Sequence, residues 1–260
     1  MACPRTPRSA CGTKLVKRSL RVKVQSQRAD LSGARSMDEV YERLALQAWD
    51  KARHLQQPSK MFIGIAGTPG SGKSTAAFKV ADKINKAAGA EGRSPAIVVQ
   101  MDGFHLYKKQ LDAMPNRDEA YARRGAHWTF DAERFVQAVR TLKQQGQHSL
   151  PSFDHAVGDP VENDILIHAQ HRVVLIEGLY VLLDEPPWDA IKELMDESWF
   201  VDADIEAALE RVIQRQVANG APHKEAAHRV ATNDRVNAEL VYKSRARADL
   251  VLPYLPLAER

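Results

Sequence analysis

Apolar positions along this chain fall into two alternating rhythms. Short continuous apolar runs stand at Met61–Ala66, Ala96–Met101, Arg172–Ile176, Ser198–Val201 and Leu250–Leu252. Unbroken runs of this kind suit strands buried on both faces, as in a parallel sheet. Between them, helical spacing of apolar residues predicts helices over Ser74–Ala88, Asp131–Gln145, Asp204–Asn219 and 224–247. An earlier helix opens at Ser36-Met37-Asp38-Glu39, a capping-box pattern, and runs through Val40, Leu44, Leu46 and Ala48 to about Gln56, where Pro58 closes it. Strands alternating with helices predict the α/β class: a three-layer, doubly wound, mostly parallel sheet.

Composition leaves that picture intact, and charge divides it. The chain has 260 residues, 44% hydrophobic and 27% charged, which suits one large domain over 59–260 with a helix at 36–58 in front of it. The formal charge of +4 is segregated: residues 1–36 hold nine Lys or Arg and one acid, Asp30, a net of +8, so the rest carries −4. A nucleic-acid binder needs its basic excess on the folded domain, so no nucleic-acid partner is expected. Residues 1–35 are rich in Arg, Ser and Lys and lack a continuous apolar stretch, the composition of an organellar transit peptide or of a disordered basic tail. The expected destination is the plastid stroma, then the mitochondrial matrix, then the cytoplasm. Both cysteines, Cys3 and Cys11, fall in this leader, so its removal would exclude disulfides, thiol catalysis and Cys-ligated metal. No apolar run reaches the roughly 20 residues that span a bilayer, so no membrane partner is expected. A homodimer is compatible with the sequence, which carries no mark of oligomeric state.

The chemistry starts at Gly67-Thr68-Pro69-Gly70-Ser71-Gly72-Lys73-Ser74, with Thr75 next, a complete G-x-x-x-x-G-K-[ST] phosphate loop. A phosphate chain needs converging backbone N–H groups, which only a tight turn free of crowding side chains supplies. The following helix adds its positive N-terminal end. Lys73 offers a point charge to the outer phosphate oxygens, and the Ser74 hydroxyl suits Mg²⁺. An apolar strand runs into the loop and a helix leaves it, as the motif requires. ATP and Mg²⁺ are therefore the expected cofactors.

Three features separate the users of such a loop. A guanine-reading Asn/Thr-Lys-x-Asp is absent, Asn85-Lys86-Ala87-Ala88 coming nearest. The strand at 172–176 ends in Glu177-Gly178 rather than an adjacent Asp-Glu pair. The strand after the loop helix ends in Met101-Asp102-Gly103-Phe104-His105, which puts a carboxylate at the carboxyl end of a parallel strand, where ligands bind. With the loop, this strand end, Leu175-Ile176-Glu177-Gly178 and a late arginine helix in order over about 60–253, the chain resembles the phosphoribulokinase/uridine kinase/pantothenate kinase family. The resemblance implies a P-loop kinase fold, Asp102 as the base at the acceptor hydroxyl, Glu177 as support for Mg²⁺, and a lid around 209–237. Arg211 and Arg215, four apart on one helical face, would close over the transferred group, with Arg215 the better match to the family's lid arginine. Asp102, Lys73 and Arg215 are thus the expected catalytic residues, and Arg211 joins the nucleotide site.

The acceptor pocket is expected from Asp102, Tyr107, Arg123, Arg124, Asp154, His155 and Tyr180. Arg123-Arg124-Gly125 followed by Phe130-Asp131 is similar to a stretch in pantothenate kinases, yet Tyr180 stands where those enzymes carry Asn and phosphoribulokinases carry His. The expected activity is transfer of the γ-phosphoryl of ATP to a hydroxyl of a small polar metabolite. The competing expectation is an ATPase that couples hydrolysis to a partner.

Overall fold

The computed structural model describes residues 28–89, 94–154 and 156–255; positions 1–27 of the leader, with Cys3 and Cys11, and His155 lie outside the described residues. The described chain opens on helix α1 (Met37–Arg53), where the Ser36 hydroxyl accepts from the Glu39 amide at 3.3 Å. The Glu39 carboxylate reaches back one residue further than a capping box requires, accepting from the Arg35 amide at 3.0 Å. Then follow β1 (Met61–Gly67), α2 (Lys73–Ala88), β2 (Ala96–Gln100), the short helices α3 (Lys108–Asp112) and α4 (Arg117–Ala122), α5 (Ala132–Gln145), β3 (His148–Asp154), β4 (Asp159–Ile167) and β5 (Val173–Glu177). The chain continues through α6 (Asp189–Leu194), β6 (Glu197–Asp202), α7 (Ile205–Ala218), α8 (His223–Arg229), α9 (Arg235–Lys243) and β7 (Leu250–Pro253).

Five strands form one sheet in the order β2-β5-β1-β6-β7, every pairing in it parallel. Each inner strand alternates between two apolar layers. Met61, Ile63, Ile65, Leu175, Trp199 and Val201 meet α1 and α2, whereas Phe62, Ala66, Val174, Ile176 and Phe200 meet α5, α6, α9 and the β3–β4 pair. Gly64 sits on the second layer, where a Cβ would stand 2.9 Å from Val181 Cγ1 and 3.0 Å from Met195 Cγ. The sheet is thus a doubly wound parallel one with helices on both faces.

Two departures from the sequence pattern matter for function. The antiparallel pair β3–β4 forms a separate two-stranded sheet that the apolar runs did not announce. Its outer strand shows Val161-Glu162-Asn163-Asp164 to solvent, so no buried run exists to be read. The single helix expected over 224–247 is instead α8, a π-helical stretch Val230–Asp234, α9 and a 3₁₀ turn Ser244–Arg247. A π turn inserts one residue and swings the side chains beside it around the axis, a distortion found mostly at functional sites.

Candidate active site

The carboxyl ends of β2, β5 and β1 lie side by side, Gln100 opposite Glu177 and Ile65 opposite Glu177 in register. Whatever follows each strand therefore meets the others. After β1 comes the phosphate loop, in which Gly70 and Gly72 take φ of 74° and 91°, the left-handed region that side-chain-bearing residues resist. At Gly70 a Cβ would also collide with the Ala208 carbonyl of α7, so the loop and the lid helix touch backbone to backbone. Arg211, one turn on, donates from Nε to the Gly70 carbonyl at 2.9 Å. Its guanidinium lies 4.7 Å over the Tyr254 ring.

Around the loop lies a cavity of about 310 Å³, lined by residues 70–75 of the loop, Arg211 and Arg215 of α7, Met37 and Tyr41 of α1, and Tyr254 beyond β7. Thr68 Oγ1, Ser71 Oγ and Arg211 Nη2 are buried without hydrogen-bond partners. Such orphans cost stability unless a ligand satisfies them. The residues expected to hold a nucleotide are therefore brought together: the loop from Gly67 through Thr68, Pro69, Gly70, Ser71, Gly72, Lys73 and Ser74 to Thr75, with Arg211. Met37, Tyr41 and Tyr254 join them without a motif of their own. They arrive from the two ends of the described chain, and only the packing of α1 beside α2 and the pairing of β7 with β6 reveal them. Burial pushes the Tyr41 hydroxyl up to about 12, with Asp38 and Tyr254 adding to the effect, so it stays protonated.

On the other side of the loop, Asp102 sits in a 3₁₀ turn, Met101–Phe104, at the end of β2. Its carbonyl accepts from the His105 amide at 3.1 Å. Gly103 is required there, since a Cβ would strike the Pro151 carbonyl of β3. Glu177 ends β5 and is 3% exposed. Burial raises its pKa, Lys73 opposes the rise, and Asp102 reinforces it. Gln100 Nε2 donates to Glu177 Oε1 at 2.8 Å, and the Ser74 side chain also hydrogen-bonds this carboxylate. A buried carboxylate beside a hydroxyl and a phosphate loop fits a divalent cation that would offset its charge. Among the described residues no three His, Cys, Asp or Glu side chains gather as a metal cluster. Ser74 and Glu177 could hold an ion that takes most of its other ligands from phosphate and water, as Mg²⁺ does.

The residues expected to hold the acceptor divide into two groups. Tyr180 and Arg123 lie near Asp102, both Arg123 and Asp102 acting electrostatically on the Tyr180 hydroxyl. Tyr180 is buried, donates to the Gly125 carbonyl at 2.7 Å, and has its pKa driven far up by desolvation. Arg123 donates from Nε to Asn233 at 3.0 Å and from Nη2 to Asn237 at 3.3 Å. The second group ties the β3–β4 pair to the body of the protein. Arg124 donates to the Leu106 carbonyl at 3.0 Å and lies 3.4 Å from Asp159, the Tyr107 hydroxyl donates to Glu162, and Asp154 accepts from the Ala156 amide at 2.7 Å in the turn. Arg215 is exposed on α7 and, with Lys73 and Arg229, acts electrostatically on Asp234 in the π stretch. Asp234 falls within the lid expected around 209–237, and Gln100 is a polar group of this site that sequence reasoning did not single out.

Comparison with known proteins places these features in a family. Residues 62–259 match the model described as "Phosphoribulokinase / Uridine kinase family". The chain is 38% identical over 232 residues to a Schizosaccharomyces pombe protein named "Putative uridine kinase C227.14", covering 88% of this chain and 94% of that one. Among solved structures it is similar to a Silicibacter sp. TM1040 protein named "putative fructose transport system kinase", at 33% identity and a TM-score of 0.70, over 81% of this chain and 98% of that one. The phosphoribulokinase of Rhodobacter spheroides shares the fold at 16% identity and a TM-score of 0.58, over 78% of this chain and 73% of that one.

Proposed function

The chain belongs to the phosphoribulokinase/uridine kinase family, whose general activity is ATP-dependent phosphoryl transfer; from that premise we propose that it moves the γ-phosphoryl group of ATP to a hydroxyl of a small polar metabolite. The observation that carries this reading is the convergence of Asp102, Glu177 and Lys73 at adjoining strand ends, each acting on Glu177 or being acted on by it. The transition state of phosphoryl transfer is loose, so positioning and charge neutralisation supply most of the rate. Here the loop amides and Lys73 hold the phosphate chain. Ser74 and Glu177 would hold a Mg²⁺ ion arriving with the nucleotide, which would supply neutralisation of charge on the outer phosphates. Arg215 of α7 lines the same cavity as the loop, which supports a role in meeting the γ-phosphoryl. Asp102 orients the acceptor hydroxyl and takes its proton late in the transfer.

Such a carboxylate has no task in an ATPase that merely couples hydrolysis to a partner, so Asp102→Asn tests the reading. Acceptor-dependent ADP release should fall about 10²–10⁴-fold, the span for losing a positioned base. ATP binding, read with a fluorescent analogue, should hold, since the amide keeps the shape and removes a negative charge near the phosphates. Unchanged acceptor-dependent rates would remove Asp102 from the mechanism, and with it the reason for preferring a kinase.

A further inference from the structure

The order of the sheet gives the cavity at the phosphate loop a direction. β5 and β2, which lead to Glu177 and Asp102, lie on one side of β1, and β6 and β7 lie on the other. The loop follows β1, so a triphosphate held there with its outer phosphate toward Asp102 carries its nucleoside toward β6 and β7. On that side the cavity is lined by Val201 of β6, Tyr254 and Leu255 after β7, and Met37 and Tyr41 of α1. α1 ends at Arg53, ahead of residue 62, where the match to the family begins. The helix thus lies outside the matched segment, yet its first two turns wall the ligand cavity.

Met37 and Tyr41 are 3% and 4% exposed, so both are packed in the core layer that holds α2 and still form cavity wall. Among the described residues nothing hydrogen-bonds the Tyr41 hydroxyl, which burial keeps protonated, so it is free to donate and to accept. In the same cavity the Arg211 guanidinium is fixed by its bond to the Gly70 carbonyl and by its seat over the Tyr254 ring, and its Nη2 is buried without a partner. Two aromatic rings, a planar cation and a thioether suit a flat heteroaromatic base and its sugar better than a further phosphate. We propose that Met37 and Tyr41 are nucleoside-binding residues: the Tyr41 hydroxyl hydrogen-bonds the nucleoside of bound ATP, Met37 packs against it, and α1 completes the donor site from outside the matched segment. The direction of the nucleotide rests on the kinase reading above, whereas the contact itself is read by binding alone. Whatever affinity α1 lends to ATP, bound ATP returns as stability of α1 on the body of the protein.

Comparing MgATP with magnesium tripolyphosphate separates the two ends of the ligand, because the inorganic chain fills the loop and has no nucleoside. Dissociation constants are measured by titration calorimetry without an acceptor. The wild type should bind MgATP at least tenfold more tightly. Tyr41→Phe keeps the ring in the core and removes only the hydroxyl. It should weaken MgATP about three- to tenfold, the span of one neutral hydrogen bond, and leave tripolyphosphate within twofold. Val40→Ala, on the buried face of α1 but not in the cavity wall, should lower the melting temperature and leave both constants within twofold. Equal weakening of both ligands by Tyr41→Phe, or of neither, would overturn the assignment, as would a wild type that binds the two alike. Should Tyr41→Phe fail to fold, amide hydrogen exchange of the wild type decides. Exchange over 37–45 should slow with MgATP and not with tripolyphosphate; equal slowing by both, or by neither, would exclude α1 from the nucleoside. No acceptor enters either measurement, so a lack of acceptor-dependent ADP release would count against the kinase reading and leave this inference standing.

Discussion

At the scale of single residues, burial decides which groups keep their charge. Glu177 and Asp234 are carboxylates pushed upward by desolvation, and both lie within reach of Lys73. A different pair closes the far, amino-terminal edge of the sheet. Lys60 Nζ donates to the carbonyls of His168 and His171 at 2.8 and 2.5 Å, and His171 Nδ1 accepts from the His168 amide at 3.0 Å. The accepting nitrogen must be unprotonated, and burial with Lys60 nearby lowers the His171 pKa from 6.5 to about 4. Between those values the unfolded chain binds a proton that the folded chain refuses. Stability from this residue is therefore complete above pH 6.5 and is lost as pH falls toward 4, by on the order of 2–3 kcal/mol. His171→Gln keeps an acceptor and removes the titration. Melting temperatures of wild type and variant measured from pH 7 to 4 should diverge least at pH 7, with the wild type falling more steeply. Parallel curves would show that His171 is protonated in the folded protein as easily as in the unfolded one.

At the scale of elements, the parts legible in the sequence are those whose signal is local. The five sheet strands are continuous apolar runs, and the phosphate loop is a contiguous motif whose glycines are explained by φ at Gly70 and Gly72 and by the Ala208 carbonyl above Gly70. Asp102 and Glu177 were readable because each follows such a run. The β3–β4 pair was not, since its outer strand is solvated. The π stretch was hidden because one inserted residue leaves the apolar spacing of a long helix nearly unchanged, while it redirects Asp234. Tyr41 and Tyr254 carry no motif at all; they become pocket residues by tertiary placement. Helix α1 offers a clean test at its first turn. Ser36→Ala removes the acceptor for the Glu39 amide and should cost about 1 kcal/mol, or roughly 2–4 °C in melting temperature for a chain of this size. A larger loss would mean that residues 28–35 detach with the cap. They are held there partly through the Arg43 side chain on the carbonyls of Asp30 and Ser32, at 3.0 and 2.7 Å.

At the scale of the whole molecule, α1 belongs both to the core and to the nucleotide cavity. Its buried face, Met37, Val40, Tyr41, Leu44, Ala45 and Ala48, packs in the layer that carries α2 and the outer face of β1. Lys51 pairs with Glu197 at 2.7 Å, and Arg172 caps the far end of the helix through the Ala52 and Leu55 carbonyls. Burying each large apolar side chain of that face contributes roughly 1.5–3 kcal/mol. Four of them together match the whole net stability of an ordinary domain. A chain starting at Ser36 keeps this face and loses the packing of Ala29, Leu31 and Ala34, the Arg43 bonds to the Asp30 and Ser32 carbonyls and the Arg35 amide bond to Glu39. It should fold with a modestly lowered melting temperature and still gain stability from MgATP, about 2.7 kcal/mol at a hundred times Kd. A chain starting at residue 57 loses the face and two walls of the cavity, Met37 and Tyr41. It should be insoluble, or soluble with nucleotide stabilisation abolished, as thermal unfolding with and without MgATP would read. Equal stabilisation of that shorter chain would separate α1 from the nucleotide site and leave Tyr254 and Arg211 as the walls that matter.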